Sequence, residues 1–431
     1  MNQTVQSNPN GSAPEDYIPK QTSILFESVV IWIVSGGLCL AVWFRFLPLI
    51  VVFSFLLFLS FTIRIWKKQS LIRVQPTLAM TKSRLFAGEQ FSVQASVSNN
   101  KRLPLVWLEW EFPAYGGILW GDGERDRYVI RFLWMLWFQR MEWDIQGTAL
   151  ERGVYDIGNV TLRSGDAFRL AESEQLYALG RHMYVYPVLL SVRAPAFPPS
   201  LQWGANGKRG GFLEDPLLIH GIREYQAGDA WRSINWRASS RTGTLQTNVF
   251  QPVVAKRLTI YIDVQGFVID ESAYADNPEK QRAYKAKKKQ TFERFLSVIA
   301  SVAVDYSKQK ISVGYSGNAL DREGRHLGSV PPGAMLTPFL DQLAQMTPRV
   351  AAAKTTVLDQ LIYERERSAP LFICSATITK QHSDWYVWNK HKLAEVRFLY
   401  MFESDYTEKV SRVAKRMESL LAASAAAQEG S

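Results

Sequence analysis

The distribution of apolar residues begins with two nearly continuous runs close to the N-terminus, Ile24 to Phe44 and Phe46 to Ile63. Each approaches the roughly 20 residues that an α-helix needs to cross a hydrocarbon core about 30 Å thick. Arg45 and the turn signal Pro48 separate them, so the pattern predicts a transmembrane hairpin over residues 24–66. A buried hairpin of a soluble protein is the alternative, but its helices should each show a polar face, and neither run does.

Basic residues indicate the orientation of this hairpin. Arg64, Lys67, Lys68 and Arg73 crowd the end of the second run, whereas the intervening loop holds Arg45 alone. The positive-inside rule then places both termini in the cytoplasm, including the N-terminal tail 1–23. A signal peptide fits poorly, because the first 21 residues lack a strongly basic region and a second apolar run follows. The formal net charge of +10 suits a protein beside anionic lipid head groups.

Alternation with a period of two marks the next region, residues 74–190. Phe91, Val93, Ala95 and Val97 alternate with polar residues, and Val106, Leu108, Trp110 and Phe112 repeat the pattern. Further short β-branched or aromatic segments include Tyr128 to Phe132, Val154 to Ile157 and Met183 to Tyr186. Such strands, bounded by Gly, Asp or Pro, predict a small antiparallel β-sandwich. We interpret the tryptophans of this region as core residues.

Strand-like and helix-like segments alternate from residue 256 to residue 405. Buried strands are predicted at Leu258–Asp263, Ile311–Tyr315, Pro370–Ala376 and Val396–Phe402, and helices at Phe292–Gln309, Met335–Met346 and Val357–Arg365. This order predicts a doubly wound, mainly parallel α/β sheet. Residues 406–431 are predicted to add a closing amphipathic helix, Glu408 to Ala423, and a tail.

Cysteine and histidine usage narrows the possible chemistry. The chain has 2 cysteines, and because Cys39 lies in an apolar run and Cys374 in a predicted strand, no disulfide framework is expected. Cys374 with His382 or His391 would supply a thiol and a base, but its apolar neighbours favour a buried, unreactive thiol. The basic run from Lys280 to Lys289 is typical of the solvated start of a helix, with lipid or nucleic acid contact as the alternative.

Residues 215–250 contain a dense mixture of charged, aromatic and turn-forming residues. Arg223, Asp229 and Arg232 stand on either side of Gly228, so a chain reversal there would allow bidentate pairs between arginine and carboxylate. Asp229 would cap the short helix that follows, with Ile234 and Trp236 as its apolar anchor. We interpret the segment as one ion-paired structural network; a surface for a ligand or partner is the alternative, and catalysis would need a poised base that the segment does not display.

The same segment resembles the hallmark of the domain of unknown function 58 family, which reads roughly R-E-Y-x-x-G-D-x-x-R-x-I-N-W-x-A-S-A-R. The chain matches it at Arg223, Glu224, Tyr225, Gly228, Asp229, Arg232, Ile234, Asn235, Trp236, Ala238, Ser239 and Arg241. Two further segments, Arg152 to Tyr155 and Arg163 to Leu170, are similar in sequence to the family's sandwich domain. The resemblance implies a bacterial membrane protein whose α/β domain is of the von Willebrand factor type A kind.

Type A domains often bind a divalent metal through an Asp-x-Ser-x-Ser loop after the first strand. Here Asp263 keeps the first position, but Gln265 and Phe267 replace the two hydroxyl residues, and Ser375 to Thr377 offers no carboxylate after a later strand. A hard cation needs several oxygen ligands. We therefore expect a degenerate loop without metal, in which Asp263 is a strand-end turn residue, and no cofactor.

The sequence favours a membrane-anchored cytoplasmic scaffold or adaptor. The family resemblance implies a MoxR-type AAA+ ATPase as its partner, in protein assembly or maturation. The expected docking face is the loop from Gln265 to Ala273 with the loop after Ser375, because ligands of parallel sheets bind at the carboxyl ends of strands.

Two other functions are weighed against the scaffold. A membrane-bound enzyme acting on an envelope or protein substrate would gather a site such as His220, Asp229 and Arg232 in one pocket. Nucleic acid is not expected as a partner, because the sequence does not interleave basic and aromatic residues in one exposed stretch.

Overall fold

The computed structural model describes residues 28–113, 115–121, 130–167, 169, 172–196, 214–227, 229–252, 257–270, 272, 274, 277–350, 358–359, 370–391 and 395–421. The chain forms two compact units that alternate along the sequence. Unit 1 comprises Met1–Ser83, Glu89–Leu150 and Tyr155–Met183, and unit 2 comprises Arg84–Gly88, Glu151–Val154 and Tyr184–Ser431.

Unit 1 begins with two apolar helices, α1 (Ser28–Trp43) and α2 (Leu47–Ser70). Pro48 lies in the first turn of α2, where its missing N–H would have no helical partner in any case. Within the part of the chain that the structure describes, α2 is the one helix long and apolar enough to cross a membrane, and Ile31–Trp43 forms a shorter apolar helix. The described residues therefore contain one candidate span where the sequence predicts two.

The rest of unit 1 consists mainly of two antiparallel four-stranded sheets, with the strand orders β1-β3-β7-β5 and β10-β9-β4-β6. Their strands are β1 (Val74–Met80), β3 (Gln90–Asn99), β4 (Leu105–Glu111), β5 (Ile118–Trp120), β6 (Ile130–Met135), β7 (Arg140–Ala149), β9 (Asn159–Gly165) and β10 (Glu172–Ala178). Val93, Ala95 and Val97 are buried as their alternation predicts. Trp110 and Trp143 pack edge to face in the core, with ring centroids 5.1 Å apart.

Short strands complete the β structure. In unit 2, β2 (Arg84–Phe86) pairs in parallel with Tyr184 to Tyr186 of β11 (His182–Tyr186). Strand β8 (Gly153–Asp156) also belongs to the small sheet that contains β2 and β11. The predicted strands at Val154 and Met183 are thus confirmed, and of the segment from Tyr128 to Phe132 the residues from Ile130 onward form β6.

The core of unit 2 is a five-stranded parallel sheet with the order β15-β14-β16-β17-β18. Its strands are β14 (Arg257–Asp263), β15 (Ser312–Gly317), β16 (Leu371–Thr377), β17 (Val396–Phe402) and β18 (Ala414–Arg416), and its helices are α4 (Pro278–Lys308), α5 (Thr337–Gln345) and α6 (Lys380–Asn389). Apolar residues of α4 pack on the sheet in one buried cluster with Leu258 and Ile260. The predicted parallel α/β sheet is confirmed.

The predicted closing helix from Glu408 to Ala423 is wrong for the described residues. They form two 3₁₀ turns, Glu408–Val410 and Met417–Leu420, on either side of β18. Strand β18 extends the parallel sheet beside β17, where the amide of Phe398 donates to the carbonyl of Val413 at 2.9 Å. Sheet pairing satisfies this backbone, and the tertiary contact overrides the helical spacing of the side chains. Of the helix predicted at Val357–Arg365, only residues 358–359 are described.

The remaining strands, β12 (Glu214–Glu224) and β13 (Gln246–Pro252), form a separate antiparallel pair in unit 2. Between them lie a 3₁₀ turn, Trp231–Ser233, and the short helix α3 (Trp236–Thr242). This segment contains the family signature, and we refer to residues 214–227 and 229–252 as the signature module.

Candidate functional site

Asn235 organises the signature module. Its side-chain Oδ1 accepts a hydrogen bond from the amide of Ala238 at 3.0 Å, so Asn235 is the N-cap of α3. Its Nδ2 donates to Oδ1 of Asn248 at 2.8 Å, and its backbone amide donates to the carbonyl of Gln246 at 2.8 Å. One side chain therefore starts the helix and ties it to β13.

Ser239 makes the second link between α3 and β13. Its hydroxyl donates to the carbonyl of Asn235 at 2.8 Å and accepts from the amide of Gln246 at 2.8 Å. Helix α3 ends at Gly243, whose φ of 72° lies in the left-handed region that favours glycine. Asn235 and Ser239, two of the signature residues, thus have structural roles within the module.

Arg223 and Asp229 form the ion pair that the sequence predicts. Nη1 and Nη2 of Arg223 each donate to one carboxylate oxygen of Asp229, both at 2.7 Å. Asp229 also accepts from the amide of Gln226 at 2.9 Å, and the hydrogen bonds from Arg223 and Gln226 hold the pKa of Asp229 below its usual value. Gly228, where we expect the chain reversal, lies outside the described residues.

Three expectations for this segment need correction. Asp229 does not cap the following helix, because Asn235 stands at that position with the right geometry. Arg232 is exposed, and among the described residues the structure shows it in no ion pair with Asp229. Arg223, Asp229 and Arg232 therefore do not form one buried network. Ile234 is buried as an anchor, but Trp236 is 64% exposed.

The module presents aromatic and basic side chains to solvent. Trp231 is 70% exposed, and the ring centroid of Tyr225 lies 6.1 Å from that of Trp231. Arg232, Arg237 and Arg241 are exposed as well, on the 3₁₀ turn and on α3. We refer to Trp231, Arg232, Trp236, Arg237 and Arg241 as the Trp–Arg surface. Glu224, a further signature residue, is exposed on the last position of β12.

A second polar cluster lies where β14 and β15 end. Asp263, 1% exposed, accepts through Oδ1 from the Asn318 side chain at 2.8 Å and from the amide of Gln265 at 3.0 Å. Asn318 in turn accepts from the amide of Val264 at 3.0 Å. The bond from Gln265 closes the strand-end turn that the sequence predicts for Asp263.

His382 completes this cluster from the first turn of α6. Its Nδ1 accepts from the amide of Thr379 at 3.4 Å, so Nε2 is the ring nitrogen that carries a proton. Nε2 lies 3.3 Å from Oδ2 of Asp263, and neither side chain reaches solvent. Nε2 makes no hydrogen bond of good geometry, so the pair is a close buried contact and not a directed hydrogen bond.

The expected docking loop is only partly available at the surface. Asp263 and Phe267 are buried, and Phe267 packs against Phe292 and Phe295 of α4. Gln265 is exposed, and Ala273 and the residue Glu271 lie outside the described residues. Of the three motif positions in the degenerate metal loop, the first (Asp263) and the third (Phe267) are therefore packed in the core.

The structure also bears on the two catalytic alternatives, the Cys374 thiol and the set of His220, Asp229 and Arg232. Cys374 is fully buried in β16, and burial raises the pKa of its thiol well above the usual value. Asp229 pairs with Arg223 instead of Arg232, and the side chain of His220 lies outside what the structure describes. Within the described residues, no three His, Cys, Asp or Glu side chains come close enough to hold a metal ion.

Sequence reasoning missed Asn318 and His382 as partners of Asp263. Both follow the carboxyl ends of predicted strands, Asn318 after β15 and His382 after β16, and parallel strands bring these ends to one edge of the sheet. That rule was available from the sequence. The exposure of Trp231 and Trp236 had no comparable signal, because buried and exposed tryptophans look alike in a short irregular segment.

Together the two units define a protein with one candidate membrane span, a β-rich unit and a parallel α/β unit that carries an exposed signature module. No family model matches the chain. It is similar to the "Uncharacterized protein YeaD" of Bacillus subtilis (strain 168), with 25% identity over 190 residues. The match covers 44% of this chain and 47% of that protein, so the chain spans about half of its relative.

Solved structures add little to this comparison. The CARDB domain of the PF1109 protein from Pyrococcus furiosus aligns with 26% of this chain and 91% of its own, at 7% identity and a TM-score of 0.18. Native alpha-2-macroglobulin from Escherichia coli aligns with 29% of this chain and 20% of its own, at 17% identity and a TM-score of 0.18. Scores this low carry no argument about fold or function.

Proposed function

We propose that this protein is a membrane-anchored scaffold or adaptor whose Trp–Arg surface docks a partner protein. The observation that carries the proposal is the exposure of Trp231 and Trp236, at 70% and 64%, beside three exposed arginines. Tryptophan and arginine dominate the binding energy of protein interfaces. Leaving two tryptophans in water is unfavourable for the free protein, and burial against a partner removes that cost.

The signature module suits docking because hydrogen bonds hold α3 in a fixed position on β13. Asn235 and Ser239 fix α3 to β13, so Arg237 and Arg241, one helical turn apart, project from a defined scaffold. A pre-ordered surface loses less conformational entropy on binding than a loose loop does. The arginines point to an acidic face on the partner.

For the anchor, we propose that α1 and α2 form a two-helix membrane hairpin in the bacterial cell membrane. Helix α2 supplies the candidate span, and Lys67 and Lys68 stand in its last turn. Basic residues at that end favour a cytoplasmic position for both termini. On this topology the signature module lies in the cytoplasm.

For the partner, we propose a MoxR-type AAA+ ATPase, and for unit 2 a degenerate von Willebrand factor type A-like domain. Support for both comes from the resemblance of the signature to the domain of unknown function 58 family and from the parallel sheet with Asp263 at the end of β14. Because hydrogen bonds from Asn318 and Gln265 engage the Asp263 carboxylate in the interior, docking uses shape and charge instead of a bridging metal.

The test is direct association of the full-length chain, in lipid nanodiscs, with the cognate ATPase in each nucleotide state. The variant Arg232→Glu, Arg237→Glu, Arg241→Glu should abolish co-elution. The matched control reverses three exposed basic residues at the start of α4, Lys280→Glu, Arg282→Glu and Lys285→Glu, and should co-elute like the wild type. Equal behaviour of the two triple variants, or no association in any nucleotide state, would contradict the proposal.

A further inference from the structure

Strand β6 breaks the alternation expected of a strand at the edge of a sheet. Its inward residues Leu133 and Met135 are buried, as they should be. Its outward residues Ile130, Phe132 and Trp134 are also large and apolar, and all three are exposed. An antiparallel sheet usually presents polar residues on its solvent face. Among the described residues of unit 1, the guanidinium of Arg169 stacks over the ring of Phe132 at 5.3 Å. The outer face of β6 is otherwise an apolar stripe that remains largely exposed.

The stripe continues into the turn that joins β6 to β7. Leu136 is exposed, Trp137 is 59% exposed and Phe138 is 65% exposed. We refer to residues 136–139 as the aromatic tip. Phe138 has a φ of 53°, a conformation that bulky residues seldom adopt, so surrounding contacts must hold it there.

Two residues hold the aromatic tip in place. Gln139 accepts from the amide of Leu136 through its side-chain oxygen at 2.8 Å. Asn99 donates from its side chain to the carbonyl of Leu136 at 2.9 Å, and its amide donates to the carbonyl of Gln139 at 2.9 Å. The exposed aromatic rings are thus displayed by an ordered turn and not by a loose loop.

The aromatic tip is tied to the end of α2. The amide of Phe138 donates to the carbonyl of Lys101 at 3.3 Å. The ammonium group of Lys101 donates to the carbonyls of Gln69 at 2.7 Å and Ile72 at 3.0 Å, and to that of Ser70. A cation here suits the negative end of the helix dipole and satisfies carbonyls that the helix leaves open.

This connection places the aromatic tip beside the end of the candidate membrane span. At a rise of 1.5 Å per residue, Ser70 lies about 6 Å beyond Trp66, where the predicted hairpin ends. The head-group layer on each side of a bilayer is about 5–8 Å thick. If α2 spans the membrane, the end of α2 that Lys101 binds stands at the level of the head groups, and the aromatic tip is hydrogen-bonded to Lys101.

We propose that the aromatic tip and the outer face of β6 insert into the head-group layer of the bilayer, beside α2. This inference rests on the membrane anchoring proposed above and goes beyond it. Tryptophan is enriched at this depth because its ring is apolar and its N–H remains hydrated. Two exposed arginines lie close to Lys101. Arg102 is its neighbour in the chain, and Arg73 is brought near it because the amide of Asn100 donates to the carbonyl of Arg73. Their charge suits anionic lipids.

The insertion would hold unit 1 against the membrane surface at a second point in addition to α2. An anchor formed by the hairpin alone leaves the β sheets of unit 1 free to change their tilt relative to the membrane. A second contact, linked to α2 through Lys101, would fix that tilt. The ligand is the lipid surface itself; a second copy of this chain paired along the edge of β6 is the competing occupant, and the experiment must separate the two.

The experiment uses single fluorophore-labelled cysteines in the full-length chain. The chain carries the substitution Cys39→Ala and is reconstituted in vesicles of equal parts phosphatidylcholine and phosphatidylglycerol; Cys374 is buried and stays unlabelled. Labels at Trp137→Cys, Phe55→Cys and Trp388→Cys compare the aromatic tip, the middle of α2 and an exposed tryptophan of α6. Quenching is measured with lipids that carry a nitroxide near the head group, with lipids that carry it deep in the acyl chain, and with aqueous iodide.

The expected result is that the Trp137 label is quenched by the shallow nitroxide and protected from iodide, whereas the Trp388 label is quenched by iodide alone. The Phe55 label should respond to the deep nitroxide. If it does not, the membrane anchor itself is wrong. If the label at position 55 is quenched by the deep nitroxide but the label at position 137 behaves like the label at position 388, the proposed insertion is wrong and the membrane anchor is supported. Protection of the Trp137 label from both iodide and nitroxide would show a protein cover and overturn the lipid assignment.

Discussion

Lys101 gives the sharpest prediction about stability, because its ammonium group is buried at the end of α2. Burial lowers the pKa of Lys101 from 10.5 to about 8. The unfolded chain therefore binds this proton more tightly than the folded protein does. The contribution of Lys101 to the free energy of unfolding is therefore lowest below about pH 8. It rises between about pH 8 and pH 10.5 and is constant above that range.

The size of the effect follows from the pKa difference. One pKa unit corresponds to about 1.4 kcal/mol, so a shift from 10.5 to about 8 corresponds to about 3 kcal/mol over the whole range. At pH 7 the substitution Lys101→Met has opposing effects, because it removes contacts to three carbonyls and also removes the cost of burying a charge. The prediction therefore concerns the change with pH and not the value at pH 7.

The assay follows unfolding by tryptophan fluorescence at a series of pH values from 7 to 10, with the chain in nanodiscs. The difference in unfolding free energy between wild type and Lys101→Met should increase with pH in favour of the wild type, by about 3 kcal/mol at most. Lys82→Met, at an exposed lysine of the same unit, should follow the wild-type profile. Parallel pH profiles for wild type and Lys101→Met would refute the reasoning.

Three further predictions follow from the two units. In chemical denaturation, Asp263→Ala should lower the free energy of unfolding by about 3 kcal/mol, because it leaves the buried Asn318 amide and His382 without their carboxylate. The control Asp144→Ala, at an exposed residue, should change the free energy of unfolding by less than about 0.5 kcal/mol. Calorimetry with magnesium or manganese should show no tight binding that Asp263→Ala abolishes, since N–H donors occupy Oδ1 of this carboxylate. Reporter fusions after Met1 and Ser431 should both report the cytoplasm; activity of an export-dependent reporter at either end would overturn the topology.

Side-chain periodicity was a good guide to the sheets. The alternation at Phe91 to Val97 predicted β3, and the apolar run Leu258–Asp263 predicted β14, because burial of one or both faces dictates these patterns. The position of Asp263 at the end of a strand also predicted its turn. Both inferences depend on local sequence and on one rule of packing.

Features that depend on long-range contacts were not predictable in the same way. The side-chain spacing at Glu408 to Ala423 predicts a helix, but part of this segment forms β18, which pairs with β17. Lys101 looks like a solvated turn residue in the sequence, and only the folded chain brings it to the carbonyls at the end of α2. Trp137 was interpreted with the other tryptophans as core, although it is exposed in the turn between β6 and β7. Composition does not reveal which residues of a turn lack a neighbour.

The Trp–Arg surface carries the central claim, and the affinity of the ATPase for single variants tests it most directly. Trp231→Ala and Trp236→Ala, measured in the full-length chain in nanodiscs, should each weaken binding by about 2 kcal/mol, or roughly 30-fold, as truncation of an interface tryptophan does. Trp388→Ala, at a tryptophan of α6 that is exposed to a similar degree, should leave the affinity unchanged. Equal affinities for wild type and all three variants would contradict docking at the signature module.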